Sequence, residues 1–499
     1  MTPRLPLLSF GPLFALVCGA QAGALATALP SPAAAVQGPV DLAMAARIRE
    51  EGLERSRALE LYRTLTDEIG PRLTGSPGHD RAAAWARDRF AEWGLSGARL
   101  EPFEFGPGWA LEKLSIEMTS PFYMPLTGYP DGWSPSIRGD AVSGRVVYVG
   151  DKTESQIQAM ASTLRGAIVL TSQPQSGFLD ADREQPGLGN AGVRPGNPQA
   201  APVRSVTSLQ VMRPLLERSG AAVTLRPSAY RDGTVGVTGG VARANDGFAS
   251  IVLAAEQYNL LARLAEAGQP PELRVELRTR VEADTRTPNV IAEIPGTDPA
   301  LRDEIVLVGA HLDSWHAAIG ATDNGDGAIA AMEAMRILSA VGARPRRTIR
   351  VALWSGEEQG LLGARAYLDA MDQTERERLS VFLNDDPGSG RSLGFYMQDN
   401  AAAKAIFDAW LEPLADLDVG RNVIEGIGST DHVPFDEVGL PAFTVIKDFE
   451  AYDQRTRHTN ADFPERMSAE ELSQSAILLA HFAWQAAQRD QRIPRRPVS

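Results

Sequence analysis

The stretch VGAHLDSWHAAIGATDNGDG, residues 308–327, follows directly on the apolar run EIVLV (304–308) and sets His311, Asp313, His316 and Asp323 among small residues. A short apolar run that ends in a polar loop and then gives way to the helical pattern GAIAAMEAMRILSAVG (327–342) reads as strand, loop and helix. The alternation extends in both directions. NVIAEIPG (289–296) precedes it; TIRVALW (348–354), LLGARAYLDAM (361–371), LSVFLN (379–384), AAAKAIFDAWLEPL (401–414) and LPAFTVI (440–446) follow. Strands alternating with helices predict an α/β domain over 281–488, with a mixed, largely parallel sheet between helices. Its last helix is AEELSQSAILLAHFAWQAAQ (469–488), with an apolar face through Leu472, Leu479 and Phe482, and a flexible basic tail is expected over 489–499.

Upstream, residues 41–105 read as N-terminal helices of the same domain, with PRLTGSPGHD (71–80) as the turn between them. Between 106 and 280 the pattern changes to short strands such as GRVVYVG (144–150) and LRGAIVLT (164–171), separated by Pro- and Gly-rich loops. That segment reads as an inserted, mostly β module with one or two helices, among them LQVMRPLLERSG (209–220). A chain of 499 residues is long enough for two such modules.

The formal net charge of -14 argues against nucleic acid or an anionic membrane as the main partner, and 43% hydrophobic with 22% charged residues describes a folded chain. Arg4 followed by LPLLSFGPLFALV (5–17) and small residues reads as a secretory signal over 1–22, with a flexible lead-in over 23–40. The expectation is export to the periplasm or the extracellular space, with no stable membrane span in the mature chain. Cys18 is the only cysteine, so removing the leader leaves no internal disulfide; Val17 fits poorly where a lipid-anchored cysteine needs a small residue before it.

In open α/β sheets, ligands bind outside the carboxyl ends of the strands. His311, Asp313 and Asp323 stand after one strand, Glu357 and Glu358 after the next, Asp385 and Asp386 after the third, and His458 after the last. Two histidines with three carboxylates suit two divalent zinc ions, because imidazole supplies affinity and carboxylate offsets charge. One aspartate with two oxygens can bridge a metal pair, and of the adjacent Glu357 and Glu358 one can bind metal while the other serves an attacking water as base.

The wording HLDSW, GATDNGDGA, LWSGEEQGLLGARAY, NDDPG, STDHVPFDEVGLPAF and RHTNAD resembles the co-catalytic zinc exopeptidases of metallopeptidase family 28, and is most similar to its carboxypeptidase Q (plasma glutamate carboxypeptidase) branch. The resemblance covers about 281–485. It implies the zinc-exopeptidase (phosphorylase/hydrolase-like) fold, and the middle segment resembles the protease-associated domain inserted in many such enzymes, read as a lid that narrows the entrance.

The resemblance also implies roles. His311, Asp323 and Asp386 would hold one zinc, and Asp323, Glu358 and His458 the other, with Glu357 as general base. Asp313 would orient the imidazole of His311, and the family's Asn-x-Asp pattern favours Asp386 over Asp385. A cis peptide is implied between Asp323 and Asn324. His432 and Tyr452 are candidate contacts to substrate or transition state, since Arg457 stands where some relatives carry a tyrosine before the last histidine. His79, His316 and His481 are read as structural or surface residues.

The expected activity is hydrolysis of dipeptides or short peptides with two Zn2+ per subunit. The alternative is an aminopeptidase acting on longer peptides, and a remote one is a non-catalytic receptor on the same fold. The branch alone implies a homodimer.

Overall fold

The computed structural model describes residues 39–187, 202–386 and 388–496. The expected leader and nearly all of the lead-in lie outside them. Among the described residues no helix is long and apolar enough to cross a membrane.

Thirteen strands are described: β1 (Ser96–Ser120), β2 (Met124–Pro125), β3 (Gly128–Pro130), β4 (Ala141–Tyr148), β5 (Ile168–Leu170), β6 (Val223–Pro227), β7 (Ala249–Leu253), β8 (Glu272–Ile294), β9 (Ile305–His311), β10 (Thr348–Trp354), β11 (Leu379–Asn384), β12 (Ser389–Tyr396) and β13 (Ala442–Asp448). They run β12-β13-β11-β9-β10-β8-β4-β5-β6-β7-β3 across one path, with β1 paired to β8. The centre, β13-β11-β9-β10, is parallel, and antiparallel β12 and β8 flank it. The mixed, largely parallel sheet is therefore present, with β12 as an edge strand the sequence reading did not mark.

Alternation along β9 sorts its side chains between two cores. Val306, Val308 and Ala310 pack under helices Asp326–Ala340 and Ala469–Gln488, whereas Ile305 and Leu307 meet Trp354, Phe382 and Phe435 on the other face. Helix Asp326–Ala340 is buried from Asp326 to Leu338, and its alanines let it sit close to both the sheet and the last helix. That last helix starts in a capping box, Ser468 with Glu471, which satisfies two backbone N–H groups at its first turn.

The boundaries expected at 105/106 and 280/281 fall inside β1 and β8. These two strands form one antiparallel ribbon, registered from Ser96 opposite Glu293 to Ser120 opposite Glu272. The far end of β8 pairs with β4 and buries Leu273, Val275 and Leu277 in a second core; its near end pairs with β10 and buries Val290 and Ala292 in the first. In the middle segment strands β4 to β7 are parallel, and helices Leu209–Ser219 and Ala255–Glu266 pack on them.

The tail is not loose as far as residue 496, contrary to the expectation for 489–499. Ile493 is buried against the first core, Asn400 donates to the Pro494 carbonyl at 2.8 Å, and Arg496 pairs with Asp436 at 2.9 Å. Burying one such aliphatic side chain contributes about 1.5–3 kcal/mol toward ordering the segment.

Candidate metal centre

β9 delivers His311 at its last position, and the chain then loops through 312–320 before the irregular turn Ala321–Gly325 feeds helix Asp326–Ala340. Arg72, fully buried, straps this loop: its guanidinium donates to the carbonyls of Leu312 (2.8 Å), Ile319 (2.7 Å) and Gly320 (2.7 Å). Gly320 has φ +59, and a Cβ there would meet the Ser314 side chain at 2.2 Å, so the close return of the loop needs glycine. The peptide between Asp323 and Asn324 is cis.

The turn brings Asp323 between the two histidines. His311 Nε2 lies 3.4 Å from Asp323 Oδ1 and 3.7 Å from Asp386 Oδ1; His458 Nε2 lies 3.3 Å from Asp323 Oδ2 and 2.9 Å from Glu358 Oε2. Two groups can hold a metal ion, His311-Asp323-Asp386 and Asp323-Glu358-His458, with Asp323 in both. Donors about 2.0–2.2 Å from a tetrahedral ion sit roughly 3.3–3.5 Å from each other. Three of the four separations are near that edge length and longer than an ordinary hydrogen bond; the His458–Glu358 distance is in hydrogen-bond range.

Burial supports the same fit. His311 Nε2, Asp323 Oδ2 and Glu358 Oε1 are buried with no hydrogen-bond partner. Asp323, Glu357, Glu358, Asp386 and Asp431 gather around two imidazoles, a concentration of buried acidic groups that bound cations would neutralise. Burial, together with the charges of Asp386, Glu358 and Asp431, pushes the Glu357 carboxyl well above the usual range against the pull of His311. For His458, Glu358 and Asp323 outweigh burial and push the imidazole up to about 9. Asp431, in the STDH run, was not singled out from the sequence. Both its carboxylate oxygens are buried without a hydrogen-bond partner, and burial followed by Asp313 and Asp386 raises its carboxyl well above the usual range.

Glu357 reaches to 3.9 Å from His311 Nε2, with its side chain 10% exposed. The His311 Nδ1 contact at 3.0 Å is to the Asp313 backbone carbonyl, with the carboxylate at 3.5 Å. The carboxylate accepts the Thr74 hydroxyl at 2.9 Å and the backbone N–H groups of Glu357 and Glu358, each at 3.3 Å, so it fixes the turn that presents both glutamates.

Adjacent positions at the end of β11 separate the two aspartates. Asp386 faces His311, and Asp385 faces away to Lys447 Nζ at 3.1 Å, which also lies 3.4 Å from Asp326. Further supports went unseen in the sequence. Asp462 accepts from Thr322 N (2.7 Å) and Asp323 N (3.1 Å), and Trp315 Nε1 donates to Glu358 Oε2 at 2.7 Å.

A cavity of about 110 Å3 opens on Asp323, Glu357, Asp386 and His458, with Tyr452, Arg183, Arg457 and the 427–429 turn on its other sides. Tyr452 is buried at this wall with its hydroxyl unpartnered. His432 is not among the lining residues; it is fully buried at the start of the short helix Val433–Glu437, and burial pushes its imidazole down to about 3. His79, His316 and His481 are likewise buried. His79 contacts Ser355 Oγ at 2.8 Å, His316 the Pro130 carbonyl and His481 the Trp410 carbonyl, both at 2.9 Å.

The middle module holds the segment that carries His458 in place. Val237 N donates to the His458 carbonyl at 2.8 Å, Tyr230 Oη to the Arg457 carbonyl at 3.2 Å, and Asp182 accepts from Ala451 N and Gln454 N. Arg183 grips Asp453 through Nε at 2.7 Å and Nη2 at 2.5 Å.

Residues 289–483 match the model described as "Peptidase family M28". The chain is 28% identical to carboxypeptidase Q of Mus musculus over 447 residues, 89% of this chain and 88% of that one. It is 26% identical to carboxypeptidase Q of Homo sapiens over 446 residues, with the same coverage. Among solved structures, a peptidase M28 precursor of Shewanella amazonensis SB2B matches with a TM-score of 0.70 at 24% identity, covering 92% of this chain and 99% of that chain. A zinc aminopeptidase of Bacillus subtilis matches in fold with a TM-score of 0.61 at 18% identity, over 87% of this chain and 95% of that chain.

Proposed function

For a chain whose residues 289–483 form a peptidase family M28 domain, we propose the activity of a di-zinc metalloexopeptidase that hydrolyses dipeptides or short peptides in the manner of carboxypeptidase Q. The observation that carries this reading is the pair of three-residue donor groups joined through Asp323. His311, Asp323 and Asp386 would hold one ion, and Asp323, Glu358 and His458 the other. Zinc bound there polarises a scissile carbonyl and makes an attacking water acidic near neutral pH.

The chain's own residues carry the remaining work. Glu357, not itself in either donor group, takes the proton from the attacking water and returns it to the leaving amine. Asp313 keeps Glu357 and Glu358 at their stations through their backbone N–H groups. Tyr452, with its hydroxyl at the cavity wall, donates to the oxyanion that develops. The middle module narrows the entrance and excludes long chains. Export after loss of the leader belongs to the same reading.

Carboxypeptidases Q match at 26% and 28% identity over 88% of their length, above the 18% identity of the Bacillus subtilis aminopeptidase, which favours this reading over an aminopeptidase acting on longer peptides. The test is metal analysis of the purified chain beside hydrolysis of a dipeptide and of its N-blocked and C-blocked forms. Two zinc ions per chain with cleavage of the unblocked dipeptide is the expected result. A chain that binds no zinc and cleaves none of the three overturns the assignment.

A further inference from the structure

Parallel strands are covered on both faces, and they normally read as near-continuous apolar runs. In the middle module β5, β6 and β7 depart from this on one face. Val223, Leu225, Ala249 and Ile251 enter the second core, whereas Thr224, Arg226 and Ser250, with Thr171 just past β5, line a cavity of about 230 Å3. Helix Leu209–Ser219 supplies the facing wall through Leu209, Met212, Arg213 and Leu216.

The polar side of this cavity carries positive charge in excess. Arg213, Arg226 and Arg243 line it, and among the described residues no carboxylate does. Arg213 is paired with Asp246. Arg226 and Arg243 share a single partner: Arg226 Nη2 lies 2.7 Å from Asp131 Oδ1, and Arg243 Nη1 lies 3.7 Å from Asp131 Oδ2. Asp131 is fully buried, and its Oδ2 already accepts the Ser250 hydroxyl at 2.6 Å. Three guanidinium groups thus stand against two carboxylates. The Arg243 contact is too long for a hydrogen bond, so the donors of that guanidinium are unused among the described residues. Glu217, one helical turn beyond Arg213, is exposed and lines no part of the cavity.

An anion matches this excess, and the remaining wall says which kind. Met212, Leu216 and Phe248 are buried apolar side chains, so the partner of the arginines has to bring an apolar body. An α-ammonium group beside its carboxylate would meet three guanidinium groups and no acidic side chain, which disfavours free amino acids. The volume lies just below the roughly 300–1,000 Å3 of common ligand pockets, which limits the body to a short chain.

We propose that this cavity binds a short aliphatic monocarboxylate without an ammonium group, its carboxylate on Arg226 and Arg243 and its chain along Met212, Leu216 and Phe248. A planar guanidinium suits the role, because it offers a carboxylate two parallel N–H donors in a fixed fork. The site shares no lining residue with the cavity at Asp323, and the inference stands independently of the peptidase reading.

Titration calorimetry on the zinc-loaded full chain tests it with hexanoate, hexanamide, norleucine and inorganic phosphate. Charge-assisted hydrogen bonds predict that hexanoate binds roughly 10- to 100-fold more tightly than hexanamide. Norleucine should bind no better than the amide, and each methylene added from butanoate to hexanoate should tighten binding about fourfold. Hexanamide or phosphate binding as tightly as hexanoate overturns the proposal, as does a chain that does not bind hexanoate.

A carboxylate bound to zinc is the competing source of the same signal, and chelation separates the two. Binding that survives removal of zinc and weakens about tenfold or more in Arg243→Gln supports the proposal. Binding that disappears with zinc and ignores Arg243→Gln overturns it. Asp131 keeps Arg226 in that variant, and its melting temperature reports on folding. Leu209→Trp, at an exposed lining position, should weaken hexanoate binding without altering any charge. Unchanged affinity in both variants overturns the proposal.

Discussion

The carboxylate of Asp313 accepts the backbone N–H of Glu357 at 3.3 Å, and its other oxygen does the same for Glu358. One side chain after β9 thus sets the position of two side chains after β10. Replacing Asp313 with Ala should lower kcat by about 10- to 100-fold, the usual cost of losing a group that orients ligands, and should weaken zinc retention. Steady-state kinetics beside metal analysis checks both; full activity would show that the turn holds itself.

Glu357→Gln removes the proton acceptor and keeps the shape. The loss in kcat should be about 10^2- to 10^4-fold with zinc stoichiometry unchanged. If zinc is lost together with activity, Glu357 is a ligand and not the base.

Lys447 lies between Asp385 and Asp326, all three buried. Lys447→Met leaves two buried carboxyls without their cation and should destabilise the fold by about 3–5 kcal/mol, the scale for breaking a buried pair. Denaturant unfolding measures it. Burial, with Asp385 adding and Lys447 opposing, already pushes Asp326 up to about 8.

Three buried histidines should cost stability on acidification well before the general titration of carboxylates. Burial pushes His79, His316 and His481 down to about 4, against an ordinary value of about 6.5. Above that ordinary value the imidazoles are neutral in both folded and unfolded chains, and stability is fully present. As pH falls below it, only the unfolded chain takes up protons. Each histidine then removes up to about 1.4 kcal/mol per pH unit until the folded value is reached. Measured at pH 7.5, 6 and 5, the unfolding midpoint of His481→Gln should fall less on acidification than that of the unaltered protein; identical pH profiles would contradict it.

Chelation should lower the melting temperature, since ions bound only by the folded chain stabilise it by mass action. Zinc added back should restore both melting temperature and activity. A melting temperature indifferent to chelator would mean that the carboxylates around Asp323 are tolerated without cations.

The candidate ligands His311, Glu358 and Asp386 were legible because each stands at or just after the end of an apolar run, where β alternation and short loops leave few geometric options. Asp386 could be separated from Asp385 only through a family resemblance; the structural reason, that consecutive residues face opposite ways, appears once Lys447 is seen behind the sheet. Arg72, Asp462 and Arg183 carry no local signal. Arg72 acts on carbonyls some 240 residues away, and the Arg183–Asp453 pair spans 270 positions. The ribbon of β1 and β8 was hidden because FEFGPGWA (103–110) and TRTPN (285–289) carry the glycines and prolines that normally punctuate turns. The tail was missed because RIPRRP (492–497) is polar in composition, and Ile493 is its one aliphatic residue buried against the core, beside the polar contacts of Pro494 and Arg496.

Each strand of that ribbon is shared property. β8 carries Leu273 and Val275 in one core and Val290 and Ala292 in the other, on a single unbroken extended backbone. The middle module is therefore no detachable cassette. Grafting it onto another scaffold, or trimming it away to widen the entrance, would sever the antiparallel neighbour of β10, the strand whose end presents Glu357 and Glu358. Re-engineering of substrate range in this chain has to work by side-chain replacement at the cavity wall, and the two halves are expected to melt together.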